Sequence, residues 1–447
     1  MIKKISIVFA CSLIFLQGFS QQILSLREQA KLTDEILTER FSHLLPKLME
    51  RENIDMWVII SREYNEDPIL KTMLPAEWLS ARRRTILVFY HDSTKKINEQ
   101  LAIARYNVGN QIKAAWDMKK FPDQWDALID LIKTRNPNKI GLNYSTDFAH
   151  ADGLTFTEQN IFVEKLPKQF QSKIVSAEKL GIGWLETRTE REMQLYPQLI
   201  QITHQIIAEG FSEKTIMPGV TSTDDLVWWY RQKIRNLGLD TWFHPSVEIQ
   251  RNDANTFDHL AAFSNDAKEI IQPGDLLHVD IGISYLRLNT DVQEHAYVLL
   301  PGETAAPVAL QKAFENGNRL QDILTSKFGY NKTGNQILSE ALATAKQEGI
   351  TASIYTHPIG YHGHAAGPTI GMWDQQNGVP GSGDFPMHYN TAYSIELNAA
   401  TEIPAWKKSI RMMLEEDGFY SEKGFRFIGG RQKELLLIPR QNTHIGN

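Results

Sequence analysis

Cysteine is almost absent: Cys11 is the only one among 447 residues, and it falls inside an apolar run at the amino terminus. Lys3 and Lys4 precede that run, which covers residues 5–16, and Gly18-Phe19-Ser20 offers small residues for cleavage before Gln21. This is the layout of a secretory signal over residues 1–20. A membrane anchor or a buried helix is the competing reading, but the run is shorter than the roughly 18–20 residues a bilayer requires. Cys11 also lies before the polar boundary, which argues against a lipid-anchored cysteine. Removal of the signal leaves a chain with no thiol. Disulfides, thiolate nucleophiles and cysteine-ligated zinc are then excluded together. Any bound metal has to be held by histidine and carboxylates, in a protein expected in the periplasm or outside the cell, with no membrane span once the signal is removed.

Other absences narrow the class further. The formal charge of −6 and the lack of a long basic run give no sign of a nucleic-acid partner. There is no low-complexity stretch and no short tandem repeat. Hydrophobic residues at 42% and charged residues at 22% are those of a soluble globular protein. The length exceeds what one ordinary core accommodates, so at least two domains are expected.

The pattern along the chain supports a division near residues 183–189. An amphipathic helix over 34–50 is followed by strand-like runs at 56–60, 85–90 and 140–142, with a helical stretch over 125–133. Residues 21–184 carry no cluster of metal or nucleophile chemistry and read as an accessory α/β domain; residues 185–447 read as the catalytic one. Thr189-x-x-Glu192 is a capping box opening a long helix toward Ala208, with Pro197 inside it. Pro218-Gly219 marks a turn and Thr223 is a cap for the helix carrying Trp228 and Trp229. Beyond residue 243 the pattern favours strands, with helices over 306–327 and 335–348.

The chemistry concentrates in the second part. Asp280 sits in the apolar run Leu276-Leu277-His278-Val279-Asp280-Ile281, where an unpaired carboxylate costs several kcal/mol or neutralises. Asp291 follows eleven residues later, a distance that a strand–turn–strand returns to the same place. A hydrogen-bonded Asp280 and a turn residue at Asp291 explain the pair equally well when it is taken alone. Three further segments alter the balance: the loop Tyr361-His362-Gly363-His364-Ala365-Ala366-Gly367, and two apolar strands carrying Glu396 and Glu434. Four carboxylates and an imidazole on inward-facing strands have one economical explanation, a shared pair of divalent cations, with manganese, cobalt, iron or zinc suited to the oxygen-rich set.

The order Asp, Asp, His, Glu, Glu, with the eleven-residue spacing, the His-Gly loop, the Ser-Ile-Glu strand and the Gln-x-Glu strand, resembles the pita-bread metallopeptidases: methionine aminopeptidase, aminopeptidase P and prolidase. The resemblance covers roughly residues 185–440 and implies an α+β fold, a pita-bread catalytic domain preceded by a smaller creatinase-type α/β domain. It implies that Asp280, Asp291, His364, Glu396 and Glu434 bind two divalent metal ions, manganese first among them. It further implies an Xaa-Pro aminopeptidase or dipeptidase acting on small peptides through a metal-bridged hydroxide, with Glu396 as general base, and a homodimer.

Two departures from the family pattern stand out. The family's second histidine is expected seven residues after the ligand histidine, and counting from His364 that position is Gly371. Prolidases carry an arginine two residues before the last glutamate, where counting from Glu434 gives Gln432. His259, with His244 as a rival, is the candidate for an active-site histidine upstream of Asp280; His357 and His362 are candidate donors to the developing oxyanion. On these grounds a weak or selective peptidase is expected. A hydrolase or lyase of a small non-peptide molecule on the same fold is the alternative, and a metal-free binding or creatinase-like protein a more distant one.

Overall fold

The computed structural model describes residues 23–253 and 268–441. The leader at 1–20 and His259 therefore lie outside the described residues. No helix among the described residues is long and apolar enough to cross a membrane.

The first half of the chain builds a six-stranded mixed sheet. Its strands are β1 (Met56–Arg62), β2 (Arg84–Asp92), β3 (Ile97–Ala102), β4 (Lys113–Ala114), β5 (Ile140–Leu142) and β6 (Ile174–Ser176), in the spatial order β4-β3-β2-β1-β5-β6. β1 is central and pairs antiparallel with β2 and parallel with β5. Its run Met56-Trp57-Val58-Ile59-Ile60 is apolar at every position because both faces are covered. Met56, Val58 and Ile60 pack with Trp125, Leu128 and Phe162 on one side. Trp57 and Ile59 pack with Phe41, Leu45, Met49 and Trp184 on the other.

The amino-terminal helix is longer than the pattern suggests and is interrupted. Leu26–Glu39, capped by a Ser25/Glu28 box, passes through a single π turn at Arg40–Leu44 into Leu45–Glu52. Pro46 lacks the amide hydrogen that would bond the carbonyl of residue 42, and the wider turn absorbs that loss. The turn aims Arg40 inward, where it is wholly buried. There its guanidinium bonds the Thr187 carbonyl and Glu192 Oε2, both at 2.8 Å. Arg188 takes the other oxygen of Glu192 at 3.1 Å. Tyr361 lies between the two cations, its ring 4.9 Å from the Arg40 guanidinium and 4.7 Å from that of Arg188.

The capping box at Thr189 and Glu192 opens the helix Glu190–Gly210, which continues through Pro197. The next helix, Thr223–Asn236, is capped by Ser222 rather than Thr223: Ser222 and Asp225 close the box, leaving Thr223 as the first helical residue. The helices Val308–Thr325 and Gly334–Gln347 fall where the periodicity places them.

Among the described residues the second half folds into three sheets and a short hairpin. β7 (Ser246–Gln250), β8 (Leu276–Ile281), β9 (Ser284–Tyr285), β10 (Leu288–Asn289) and β11 (Val292–Val298) come first. β12 (Thr351–Ile354), β13 (His357–Ile359), β14 (Thr391–Ser394) and β15 (Leu397–Ile403) follow. β16 (Lys408–Leu414), β17 (Asp417–Ser421), β18 (Gly424–Phe427) and β19 (Leu436–Ile438) complete the set. The sheets are β19-β11-β8-β7, β12-β15-β16 and β13-β14-β17-β18, with β9 and β10 forming the hairpin. Two backbone hydrogen bonds between Gln293 and Glu415 tie β11 to the end of β16. The site forms at that junction.

The hairpin turns on Leu286 (φ 53°) and Arg287 (φ 64°). Both are side-chain-bearing residues in the left-handed region, a conformation that costs of order 1–3 kcal/mol each. Arg287 reaches back to the amino-terminal half and donates to the carbonyls of Thr72 (3.1 Å) and Leu74 (2.7 Å).

Candidate metal centre

The eleven residues between the two aspartates are the hairpin and its flanks. β8 carries Asp280, the chain turns through β9 and β10, and Asp291 precedes β11, which returns antiparallel with Gln293 opposite Asp280. From the other side come His357 at the start of β13, Glu396 between β14 and β15, and Glu415 just after β16. Single ligand atoms of Asp280, Asp291 and Glu415 lie within 4.8 Å of one another, as do those of His357, Glu396 and Glu415, and those of Asp291, His357 and His364. Five expected residues of the site, Asp280, Asp291, His357, His364 and Glu396, therefore come together, around a glutamate that was not expected.

That glutamate is Glu415. Its Oε1 accepts from Ser394 Oγ at 2.5 Å and its Oε2 from Gln293 Nε2 at 2.8 Å. Gln293 Nε2 also donates to Glu396 Oε1 at 3.1 Å, so one amide spaces the two carboxylates. Glu434, expected in this position, is exposed and belongs to no such group among the described residues. The reason is the shortness of β19: it begins only at Leu436 and pairs with the Ala296–Val298 end of β11. Glu434 sits at a bend before it, and Gln432 is spent on the backbone of His295, accepting from its amide at 2.9 Å and donating to its carbonyl at 2.7 Å.

The histidine register also differs from expectation. His357, 3% exposed, places Nε2 at 3.6 Å from both Asp291 Oδ2 and Glu415 Oε1. His364 stands exposed beside it, its ring 4.7 Å from that of His357, edge to face. The interval from His357 to His364 is seven residues, the interval for which Gly371 had looked like a gap. Gly371 has φ +73°, and a Cβ there would lie 2.2 Å from the Ile354 carbonyl oxygen. No imidazole fits at that position. Trp242 borders His364 at 5.1 Å and donates to the Thr290 carbonyl at 2.9 Å. It is wedged against Gly282 and Gly363, where a Cβ would lie 2.3 Å from its ring.

The remaining candidates lie elsewhere. His362 lies against His150 of the first half, ring centroids 4.6 Å apart and planes tilted by 51°. Burial, reinforced by His150, pushes it down to about 4. His244 is exposed and bonds Arg231 at 3.0 Å. Neither belongs to a group of converging ligand atoms among the described residues.

Electrostatics marks the cluster as short of positive charge. Burial, and next the nearby Glu415 carboxylate, raise Asp280, Asp291, Glu396 and Asp417 well above the ordinary carboxylate range. Oδ1 of Asp280 is buried without a hydrogen-bond partner among the described residues. His357 is more telling. Its Nδ1 lies 3.0 Å from the Pro358 carbonyl, which can only accept, so Nδ1 carries the proton. Nε2 then faces two carboxylate oxygens and has no hydrogen-bond partner among the described residues. One imidazole nitrogen and two carboxylate oxygens converge on a single space, an arrangement suited to a cation.

The sequence pattern of metallopeptidase family M24 matches residues 197–427, just over half of the chain, and the chain belongs to that family. The matched segment contains Asp280, Asp291, His357, His364, Glu396 and Glu415 and stops short of Glu434. The fold is the pita-bread fold of the family. It is shared with the X-Pro aminopeptidase from Thermotoga maritima (TM-score 0.59, 15% identity, 87% of this chain and 99% of that one). It is shared also with the Xaa-Pro dipeptidase from Bacillus anthracis (TM-score 0.56, 14% identity, 92% and 100%) and the prolidase from Pyrococcus horikoshii (TM-score 0.56, 13% identity, 91% and 99%). No curated protein matches the chain in sequence.

Proposed function

We propose that the chain is a metal-dependent Xaa-Pro aminopeptidase or dipeptidase in which Asp280, Asp291, His357, Glu396 and Glu415 hold two divalent cations. The observation that carries this reading is the unpartnered Nε2 of His357, aimed at the carboxylates of Asp291 and Glu415. Four carboxylates and one neutral imidazole balance two doubly charged ions, and the oxygen-rich donor set suits manganese first. Such a pair, when bound, supplies a water acidic enough to lose its proton near neutrality and a Lewis acid for the scissile carbonyl.

The chain's own residues do the rest. Pro358 holds the His357 tautomer, and Ser394 and Gln293 fix the two oxygens of Glu415. Glu396 is the proton acceptor, with the amide of Gln293 orienting it. His364, seven residues after His357, donates to the oxygen that develops negative charge. Trp242 walls that side, its ring 5.1 Å from that of His364. The neighbours named for X-Pro substrates support this choice of substrate. The leader in residues 1–20 is read as an export signal, which puts the activity in the periplasm or outside the cell.

The test is a panel of Xaa-Pro dipeptides, longer Xaa-Pro peptides and small amides, assayed with added Mn2+, Co2+ or Zn2+. Release of the residue before proline, abolished by chelation and restored by metal, is the expected result. Turnover of the amides with none of the Xaa-Pro peptides would overturn the peptidase reading.

A further inference from the structure

A second group of ligand atoms lies behind the first. On β11 successive side chains point to opposite faces: Gln293 reaches Glu396 and Glu415, while Glu294 points away from them. Glu415 and Glu416 divide in the same way. From the helix Glu190–Gly210, His204 enters this rear space, its Nε2 2.8 Å from Glu416 Oε2 and 3.7 Å from Glu294 Oε1. One ligand atom from each of the three residues lies within 4.8 Å of the other two.

We propose that His204, Glu294 and Glu416 form a third cation site, independent of the carboxylate cluster and suited to a single zinc-like divalent ion. Two observations carry it. The first is the converging nitrogen and two oxygens, the mixed donor set that zinc prefers, with coordination positions left over for water. The second is the state of Glu294. It is 5% exposed, its carboxylate accepts no hydrogen bond among the described residues, and its one nearby cationic group is His204. A carboxylate buried this way costs several kcal/mol unless something neutralises it. Glu416 is held from the other side, its Oε1 accepting from the Gln432 amide at 2.7 Å. The His204 side chain is 23% exposed, which leaves a way in from solvent.

Protons fill this role in the metal-free chain. Burial, with the charge of Glu416 next, raises Glu294 to about 8. His204 is raised to about 9 against the pull of burial, by its hydrogen bond to Glu416. One divalent ion replaces both protons at unchanged net charge.

The experiment is a zinc count. The full chain and its His204→Gln/Glu294→Gln variant are incubated with excess Zn2+, passed through gel filtration and analysed by mass spectrometry for zinc per chain. The wild type is expected to retain one equivalent more than the variant, whatever the occupancy of the front cluster. The count therefore tests the rear site separately from the peptidase reading. Equal zinc content would overturn the proposal and leave the protons as the sole occupants. If the double variant shows a lost far-ultraviolet dichroism spectrum, Glu294→Gln alone, which keeps shape and removes charge, must lose the same equivalent; retention by that variant overturns the proposal equally.

Discussion

Glu415→Gln and Glu434→Gln make the same chemical change at two positions and separate the two assignments of the last carboxylate. At Glu415 the amide fits the surroundings. Its oxygen keeps the bond from Gln293 Nε2, and its NH2 faces Ser394 Oγ, which can accept, and His357 Nε2. The fold should survive. What disappears is one negative charge of the proposed ligand set. Removing a residue that merely orients a ligand costs about 10–100-fold in metal affinity; losing a ligand should exceed the upper figure, above about 2.8 kcal/mol at ~1.4 kcal/mol per tenfold. The same change has the opposite effect without metal. The Glu415 charge raises Asp280, Asp291, Glu396 and Asp417, so its removal relieves repulsion among buried carboxylates. In EDTA, Glu415→Gln should therefore melt at or above the wild type, and in saturating Mn2+ below it. Glu434 is exposed and its substitution should stay within about 0.5 kcal/mol in both buffers. Metal content, thermal melts with and without chelator, and Xaa-Pro hydrolysis read all three effects. Wild-type manganese content and turnover in Glu415→Gln, or their loss in Glu434→Gln, would refute the assignment.

Four further outcomes are expected. His364→Ala should lower kcat by about 10²–10³-fold with metal content unchanged; an unaltered kcat in metal-saturated assays would remove it from the chemistry. Gly371→His should not create a better peptidase but a poorly folded one, because its Cβ meets the Ile354 carbonyl oxygen at 2.2 Å and its φ is +73°; a soluble variant with a wild-type melt would contradict the backbone argument. Glu192→Gln strands two buried arginines and should cost about 3–5 kcal/mol, read by urea unfolding; a loss under about 1 kcal/mol, the scale of an exposed pair, would show that Arg40 and Arg188 find other partners. Glu186 has both oxygens buried without hydrogen bonds among the described residues, and burial raises it to about 8 against the opposing charges of Arg51 and Arg188. Its stabilising proton is fully present below the unfolded value of 4.5 and is lost as pH rises through about 8, so Glu186→Gln should raise the melting temperature above pH 8 and gain little near pH 5; equal gains at both would show that the carboxyl is not titrating in this window.

Much of the site is legible in the sequence because strand periodicity carries it. Asp280 interrupts an apolar run, Asp291 follows at a hairpin's distance, and Glu396 follows Ser394-Ile395. What is not legible is which apolar run returns to the junction. The two candidates look alike in sequence: the run from Ile410 to Leu414 leads into Glu415, and Glu434 leads into the run from Leu435 to Ile438. Only the pairing of Gln293 with Glu415, a contact across 122 positions, distinguishes them. The histidine loop has a similar ambiguity. A seven-residue step fits from His357 to His364 and also from His364 to residue 371, and the choice is made by β13 pairing with β14, which brings His357 opposite Ser394. The interrupted first helix is hidden for another reason: a proline one position inside a helix start is ordinary, and only the packing of Arg40 against Glu192 shows that the chain runs through it.

The hairpin tip at Leu286 and Arg287 bears on how this gene can change. Asn-Gly is the sequence that such a tight turn favours, and elsewhere that exchange would be a simple gain in stability. Here it would remove the guanidinium that grips the carbonyls of Thr72 and Leu74, and with it a tie between the halves of the chain. Nor can the hairpin lengthen by one residue on either arm. Side chains alternate along β11, so a single insertion before Val292 would turn Glu294 toward the carboxylates and Gln293 toward His204. The interval from Asp280 to Asp291 is thus a fixed ruler, closed to insertion and deletion while substitutions accumulate around it.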